Sequence, residues 1–206
     1  YLGTLTGTQT VDTLIGGMTT FQGNSAREAT ITTTGTNIAS GFAVDGTFTL
    51  KNYNRRTATA EMTQYGTVMS GSGSSQGMTV NMNMTSVFAP PFLDRQYSLG
   101  IGETYTASQT INTSGSISTM GFTQPISGSS TSTVSTKYVG RETVTVPAGT
   151  YSTCKLETTT SGSGSASTLT SWVIVGKGIT VKSVMSDGGT TQTIQATSVR
   201  LNGANL

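Results

Sequence analysis

Two short patterns in this chain have the outline of nucleophilic chemistry. Residues 73–77 read G-S-S-Q-G and fit G-x-S-x-G, in which a strained turn between a strand and a helix lifts a serine toward a histidine base. Residues 152–155 read S-T-C-K and fit S-x-x-K, in which serine and lysine share one face of a helical turn. Neither pattern has the parts it needs. The chain contains no histidine, and the surroundings of Ser152 and Lys155 alternate like a strand, where residues three apart point to opposite faces. Residues 73–77 are therefore expected in a loop, and Ser152 and Lys155 apart.

The remaining chemistry is equally sparse. Paired carboxylates for glycoside hydrolysis would have to be assembled by the fold. Glu103, Glu142 and Glu157 lie on different predicted strands and are read as solvent-facing or paired with Arg141 and Lys155. With no histidine, one cysteine and no calcium-loop pattern, no metal site is expected. Asp45 and Asp187 each precede a glycine and read as turn formers. Cys154 has no second cysteine to pair with and is expected as a small buried residue. Asn83 and Asn112 open formal glycosylation sequons of the kind a Thr/Ser-rich chain produces by chance. No catalytic residue, metal site or cofactor is expected, and the chain is read as a non-enzyme.

Charge narrows the partners. The net charge is +2 and Arg55-Arg56 is the one adjacent basic pair, so the phosphate-tracking stripe of a nucleic-acid protein is missing. No segment approaches the roughly 18 apolar residues of a transmembrane helix. Only 10% of the 206 residues are charged, against roughly 25% in ordinary domains, and neutral Thr, Ser and Gly take their place. Thr is β-branched and suits a pleated surface, so this composition favours strands.

Positioning falls to period-two elements. In residues 77–88, Met78, Val80, Met82, Met84 and Phe88 fall on one face and Thr79, Asn81, Asn83 and Thr85 on the other. Similar alternation marks residues 26–34, 42–53, 57–69, 103–111, 131–146, 151–160, 168–175, 179–186 and 190–201. The short connections leave no room for crossover helices. The expected fold is all-β: an antiparallel meander of roughly ten strands forming a curled sheet, half-barrel or sandwich. The Ser/Gly stretches 70–75 and 161–167 read as flexible hairpin loops. A single β domain over 1–206 is expected, with 89–102 as the Pro-containing connection between halves 1–88 and 103–206. Thr-x-Thr runs such as Thr47 with Thr49 and Thr143 with Thr145 lack the regular period of an ice-binding array.

The run 139–151, V-G-R-E-T-V-T-V-P-A-G-T-Y, is followed by W-V-I-V-G-K-G at 172–178 and V-K-S at 181–183. Together they resemble a broad group of bacterial envelope and secreted β proteins of the half-open-barrel type, over residues 97–202. The resemblance implies an open, half-closed β-barrel and a place in the periplasm or outer envelope. No lipobox cysteine is present for anchoring. Independently of the resemblance, Pro147 ends a ladder, Gly149 suits a turn, and Tyr151 and Trp172 are expected to fold back over the sheet.

Two functions are expected to compete. The first is a secreted or cell-surface structural protein that self-associates into a homo-oligomer or filament. Its candidate association strands hold Thr4, Leu5, Thr6, Thr8, Thr10 and Val11 at one end and Ile194, Ala196, Val199 and Leu201 at the other, with almost no Lys or Pro to discourage pairing. The alternative is an envelope carrier of an apolar ligand, its pocket lined by Met78, Val80, Met82, Met84, Phe88 and Trp172, with Met62, Met69, Met120 and Met185 as additions. Starting at Tyr1 fits a processed, exported chain.

Overall fold

The computed structural model describes residues 9–35, 45–56, 60–75, 77–162, 166–187 and 189–206. Eleven strands succeed one another: β1 (Gln9–Phe21), β2 (Asn24–Gly35), β3 (Asp45–Arg56), β4 (Met62–Ser75), β5 (Met78–Asp94), β6 (Thr104–Thr119), β7 (Phe122–Val146), β8 (Gly149–Gly162), β9 (Ala166–Ile174), β10 (Thr180–Asp187) and β11 (Thr190–Gln195). They hydrogen-bond in chain order from β1 to β11, an antiparallel meander, and a separate hairpin pairs β12 (Arg200–Leu201) with β13 (Ala204–Asn205). A single 3₁₀ turn, Gln96–Ser98, is the helical content of the described residues. The all-β reading holds.

Local chemistry explains the tight reversals. Gln22-Gly23, Met120-Gly121 and Asn202-Gly203 all carry positive φ, the geometry of two-residue hairpin loops whose twist matches the flanking strands. Pro147 and Ala148 form the turn closed by the Val146–Gly149 pair, as the sequence suggests.

Four segments differ from expectation. Residues 70–75 are not a loop: they complete β4, paired with β3 on one side and β5 on the other. Small residues fit there because the ladder is made by main-chain groups, and the Phe48 ring sits where a β-carbon at Gly71 would be, 2.6 Å away. Residues 89–94 continue β5, which accommodates Pro90 and Pro91 as extra residues opposite Tyr65, where the register shifts between Gln64 and Gly66. The long strand at 190–201 breaks after Gln195. Ser161 pairs with Ala166, so strands also run into the 161–167 stretch from both sides.

The chain divides into two compact units, one within residues 1–57, 62–94 and 110–130, the other within 58–61, 95–109 and 131–206. In the first unit, residues opposite each other in the ladders share a face. One face collects Val11 and Ile15 of β1, Ile31 of β2, Phe48 and Leu50 of β3, Met69 of β4, Val80, Met82 and Met84 of β5, and Ile111 and Ile117 of β6. The other face is hydroxyl and amide in two rows, Thr34, Thr47, Ser72, Asn81 and Ser118 across β2 to β6 and Thr32, Thr49, Ser70, Asn83 and Ser116 next to it, and beyond them it carries Lys51, Val68, Glu28, Tyr53 and Val87. The Thr34 and Thr47 hydroxyls meet at 3.0 Å. On the shared apolar face Ile31, Phe48, Leu50, Met69, Val80, Met82, Met84, Ile111 and Ile117 are half-buried, and the buried apolar residues described in this unit are Phe21 and Ala26.

The second unit has a conventional core. Val146, Trp172, Val181 and Val199 are buried together, with Val144, Ala148, Tyr151, Ile174, Ile179, Val184 and Ala196 packed around them. Its buried polar groups are satisfied: Thr136 meets Thr158 at 3.0 Å, and Thr153 donates to the Glu142 carbonyl at 2.9 Å.

Candidate functional site

The residues with reactive side chains are held apart. Residues 73–75 lie in β4 and Gly77 in the turn that follows, so no strand–turn–helix forms around Ser75. On β8, Ser152 stands opposite Thr143 and Lys155 opposite Trp172, on different faces. The Glu103 carboxylate accepts the Gly100 N–H at 2.6 Å, Glu142 accepts the indole N–H of Trp172, and Glu157 lies 3.6 Å from Lys155. Three carboxylates thus serve three separate local partners. Among the described residues no group of three or more His, Cys, Asp or Glu side chains is placed to hold a metal ion.

Two charged clusters stand out. On the polar face of the first unit, Glu28 receives Lys51 at 3.1 Å, the Tyr53 hydroxyl at 3.1 Å and the Thr30 hydroxyl at 3.2 Å. The Lys51 hydrogen bond holds the Glu28 carboxyl below its ordinary range, against a smaller upward push from burial. The same contact raises Lys51, while burial first and Glu28 second raise Tyr53. In the second unit, Lys182 and Lys155 place their ammonium groups 4.8 and 5.6 Å from the Trp172 ring centroid. Nearby, Cys154 is half-buried rather than fully buried; the Tyr138 hydroxyl donates to its Sγ at 3.6 Å, and that bond, then burial, raises Tyr138. These clusters are internally satisfied and explain local order.

What is left unsatisfied is an edge. Among the described residues β1 is paired on one side only, by β2, and it begins the strand order. Val11, Leu14, Ile15 and Met18 are 57%, 70%, 59% and 55% exposed, on both faces of the strand, and Asp12 is its one charged residue. Thr10 and Val11, expected as association residues, lie on this strand; Thr4, Leu5, Thr6 and Thr8 fall outside the described residues. At the other end of the order, Ile194 sits on β11 and is exposed. Ala196 follows it and packs on the core, Val199 is buried in that core, and Leu201 belongs to the separate hairpin β12–β13. Sequence reading missed Leu14, Ile15 and Met18. Their signal was present in the T-V-D-T-L-I-G-G-M run, but nothing local says that this strand is the end one.

The expected apolar pocket divides. Val80, Met82, Met84 and Phe88 share the apolar face of the first unit, Met78 opens β5 at 39% exposure, and Trp172 belongs to the core of the second unit. Met69 joins that face through its pairing with Met84, whereas Met120 is exposed at the β6–β7 turn and Met185 lies on β10. Two clefts are present nearby. One of about 190 Å³ is lined by Tyr53, Asn54, Met62 and Gln64, and one of about 220 Å³ by Ile117, Met120 and Phe122. Both fall short of the roughly 300–1,000 Å³ usual for enclosed small-molecule sites. No helix is long and apolar enough to cross a membrane, a statement that leaves strands aside. Searches against protein-family models, curated proteins and solved structures find no match to this chain.

Proposed function

We propose that this protein is a non-catalytic, secreted or cell-surface structural component that associates with its own kind by adding strands at β1. The observation that carries the reading is the 13-residue end strand, apolar and exposed on both faces, with one charge and no Lys or Pro. Edge strands normally carry such residues because an open row of N–H and C=O groups templates another chain. Bulging at Gly16–Gly17, where the β1–β2 register shifts, and the Asp12 charge are the protective devices on the described part of this edge. The extracellular or envelope placement rests on composition and on the resemblance of residues 97–202. Light scattering at low micromolar concentration with negative-stain microscopy tests it. Oligomers that dissociate in the Val11→Lys/Ile15→Lys variant support it, and a monomer at every concentration overturns it.

A second reading is favoured by a specific feature, the half-buried apolar face of the first unit with its Met side chains on β4 and β5. Such a face suits an adaptable apolar ligand, and a carrier would purify as a monomer with bound lipid detectable by mass spectrometry.

A further inference from the structure

We infer that the strand β1 accepts is the β1 of a second copy, running antiparallel about a twofold axis that passes through Thr13. This rests on the proposal of strand-mediated self-association and names its partner and register. A twofold axis perpendicular to a shared sheet keeps each face on its own side, so in an antiparallel β1–β1 ladder one residue must stand opposite itself. The choice of that residue is narrow, because the register with β2 is regular from Gln9 to Ile15 and shifts before Met18.

The centres next to Thr13 are each less favourable. Centring on Asp12 sets two carboxylates directly opposite, which is destabilising. Centring on Val11 sets Leu14 and Ile15, at 70% and 59% exposure, against positions 8 and 7, outside the described residues, and draws no pairing of their apolar side chains from the described strand. Centring on Leu14 runs the ladder into the Gly16–Gly17 irregularity, with Asp12 facing Gly16 and Val11 facing Gly17. Centring on Thr13 keeps the five central residues 11–15 in regular strand and brings only Thr10 and Gln9 against the Gly16–Gly17 irregularity. It places Val11 opposite Ile15 twice and Thr13 opposite Thr13 on one face, apolar and β-branched pairs of the favourable kind, and Asp12 opposite Leu14 on the other.

The competing acceptor is β11. It offers six residues, Thr190–Gln195, to the thirteen of β1, and immediately past it the Ala196 carbonyl already takes the Ala148 N–H at 3.0 Å. A β1–β1 contact is self-complementary and closes on itself, so the elementary assembly is a dimer, with any larger array built through other surfaces.

Single-cysteine variants at positions 11, 12, 13, 14 and 15, made in a Cys154→Ser background and checked for folding by far-ultraviolet dichroism, test the register under mild oxidation. Only at 13 do the two copies of one residue come within about 5.5 Å between β-carbons, so Thr13→Cys is expected to form the disulfide-linked dimer about tenfold faster than the other four. Separately, Leu14→Lys is expected to keep the dimer, its ammonium meeting Asp12 of the second copy, whereas Ile15→Lys weakens it by about tenfold or more. A cross-linking maximum elsewhere on β1, or efficient cross-linking of Thr13→Cys to Ile194→Cys, overturns the twofold register while leaving strand-mediated association standing. Absence of association in the unmodified protein overturns both.

Discussion

The ring of Phe21 occupies the space that a side chain at position 66 would need: a β-carbon built on Gly66 would lie 2.6 Å from Phe21 Cε1. Phe21 is also stacked on Tyr53, with ring centroids 4.2 Å apart, so a β1 side chain is seated over β3 and β4. Gly66→Ala must displace both the ring and the Ser86 carbonyl, which lies closer still, and is expected to cost about 1–3 kcal/mol in chemical denaturation. Gly17→Ala, which meets nothing within 4 Å, is the control and should stay within about 0.5 kcal/mol of the parent. Equal effects at the two positions would refute the account.

Val181, 1% exposed, is the most completely enclosed apolar side chain of the second unit. Val181→Ala removes two methyl groups from the cluster that holds Trp172 and is expected to cost about 2 kcal/mol. Trp172 is the only tryptophan, so the shift of its emission with denaturant reports this unit directly. An unchanged midpoint would mean that the core does not depend on this contact.

Acid should weaken the first unit through Glu28. Its folded pKa is below the ordinary value, chiefly because of the Lys51 hydrogen bond, so its contribution is present above the unfolded pKa and is lost as pH falls through the folded one. Glu28→Gln is therefore expected to be less stable than the parent at neutral pH and to show a flatter loss of stability below about pH 4. Parallel acid limbs in the two proteins would show that Glu28 gains nothing from Lys51 and Tyr53.

The apolar face of the first unit should bind an environment-sensitive dye such as ANS in the folded state, because its side chains are half-buried rather than enclosed. Met82 lies near the middle of that face, between Gly71 on β4 and Ile117 on β6. Met82→Glu is expected to reduce dye fluorescence while leaving the far-ultraviolet dichroism of the strands intact. Dye binding that survives the change would place the accessible apolar surface elsewhere, with the exposed Met120 and Phe122 the next residues to alter.

Alternation made β5 legible: Val80, Met82 and Met84 do share a face, because a strand's period of two needs no knowledge of its neighbours. The Ser/Gly stretch 70–75 was illegible for the opposite reason. Its place in the ladder comes from β3 and β5 on either side, and Gly71 makes sense only once Phe48 is seen to cover it. Proline at 90 and 91 argued for a connection, yet β5 resumes its pairing at Phe92 opposite Gln64. For the candidate site, Thr10 and Val11 were named from composition, whereas the exposure of Leu14, Ile15 and Met18 depends on β1 being the end strand among the described residues, which is a property of the strand order and of no single segment. Val199 and Ala196 read as edge residues from their alternation and turned inward because the chain leaves the sheet after Gln195.

A sheet whose strands pair strictly with their predecessors has a kinetic consequence. Each new strand closes only the short loop to the strand before it, so no step waits for a distant segment to arrive, and the entropy of loop closure is met in small increments. Each hairpin can form soon after its second strand is made, which shortens the time during which unpaired backbone is open to other chains. For a protein this rich in strands and this poor in charge, the speed of pairing is itself a protection against misassembly.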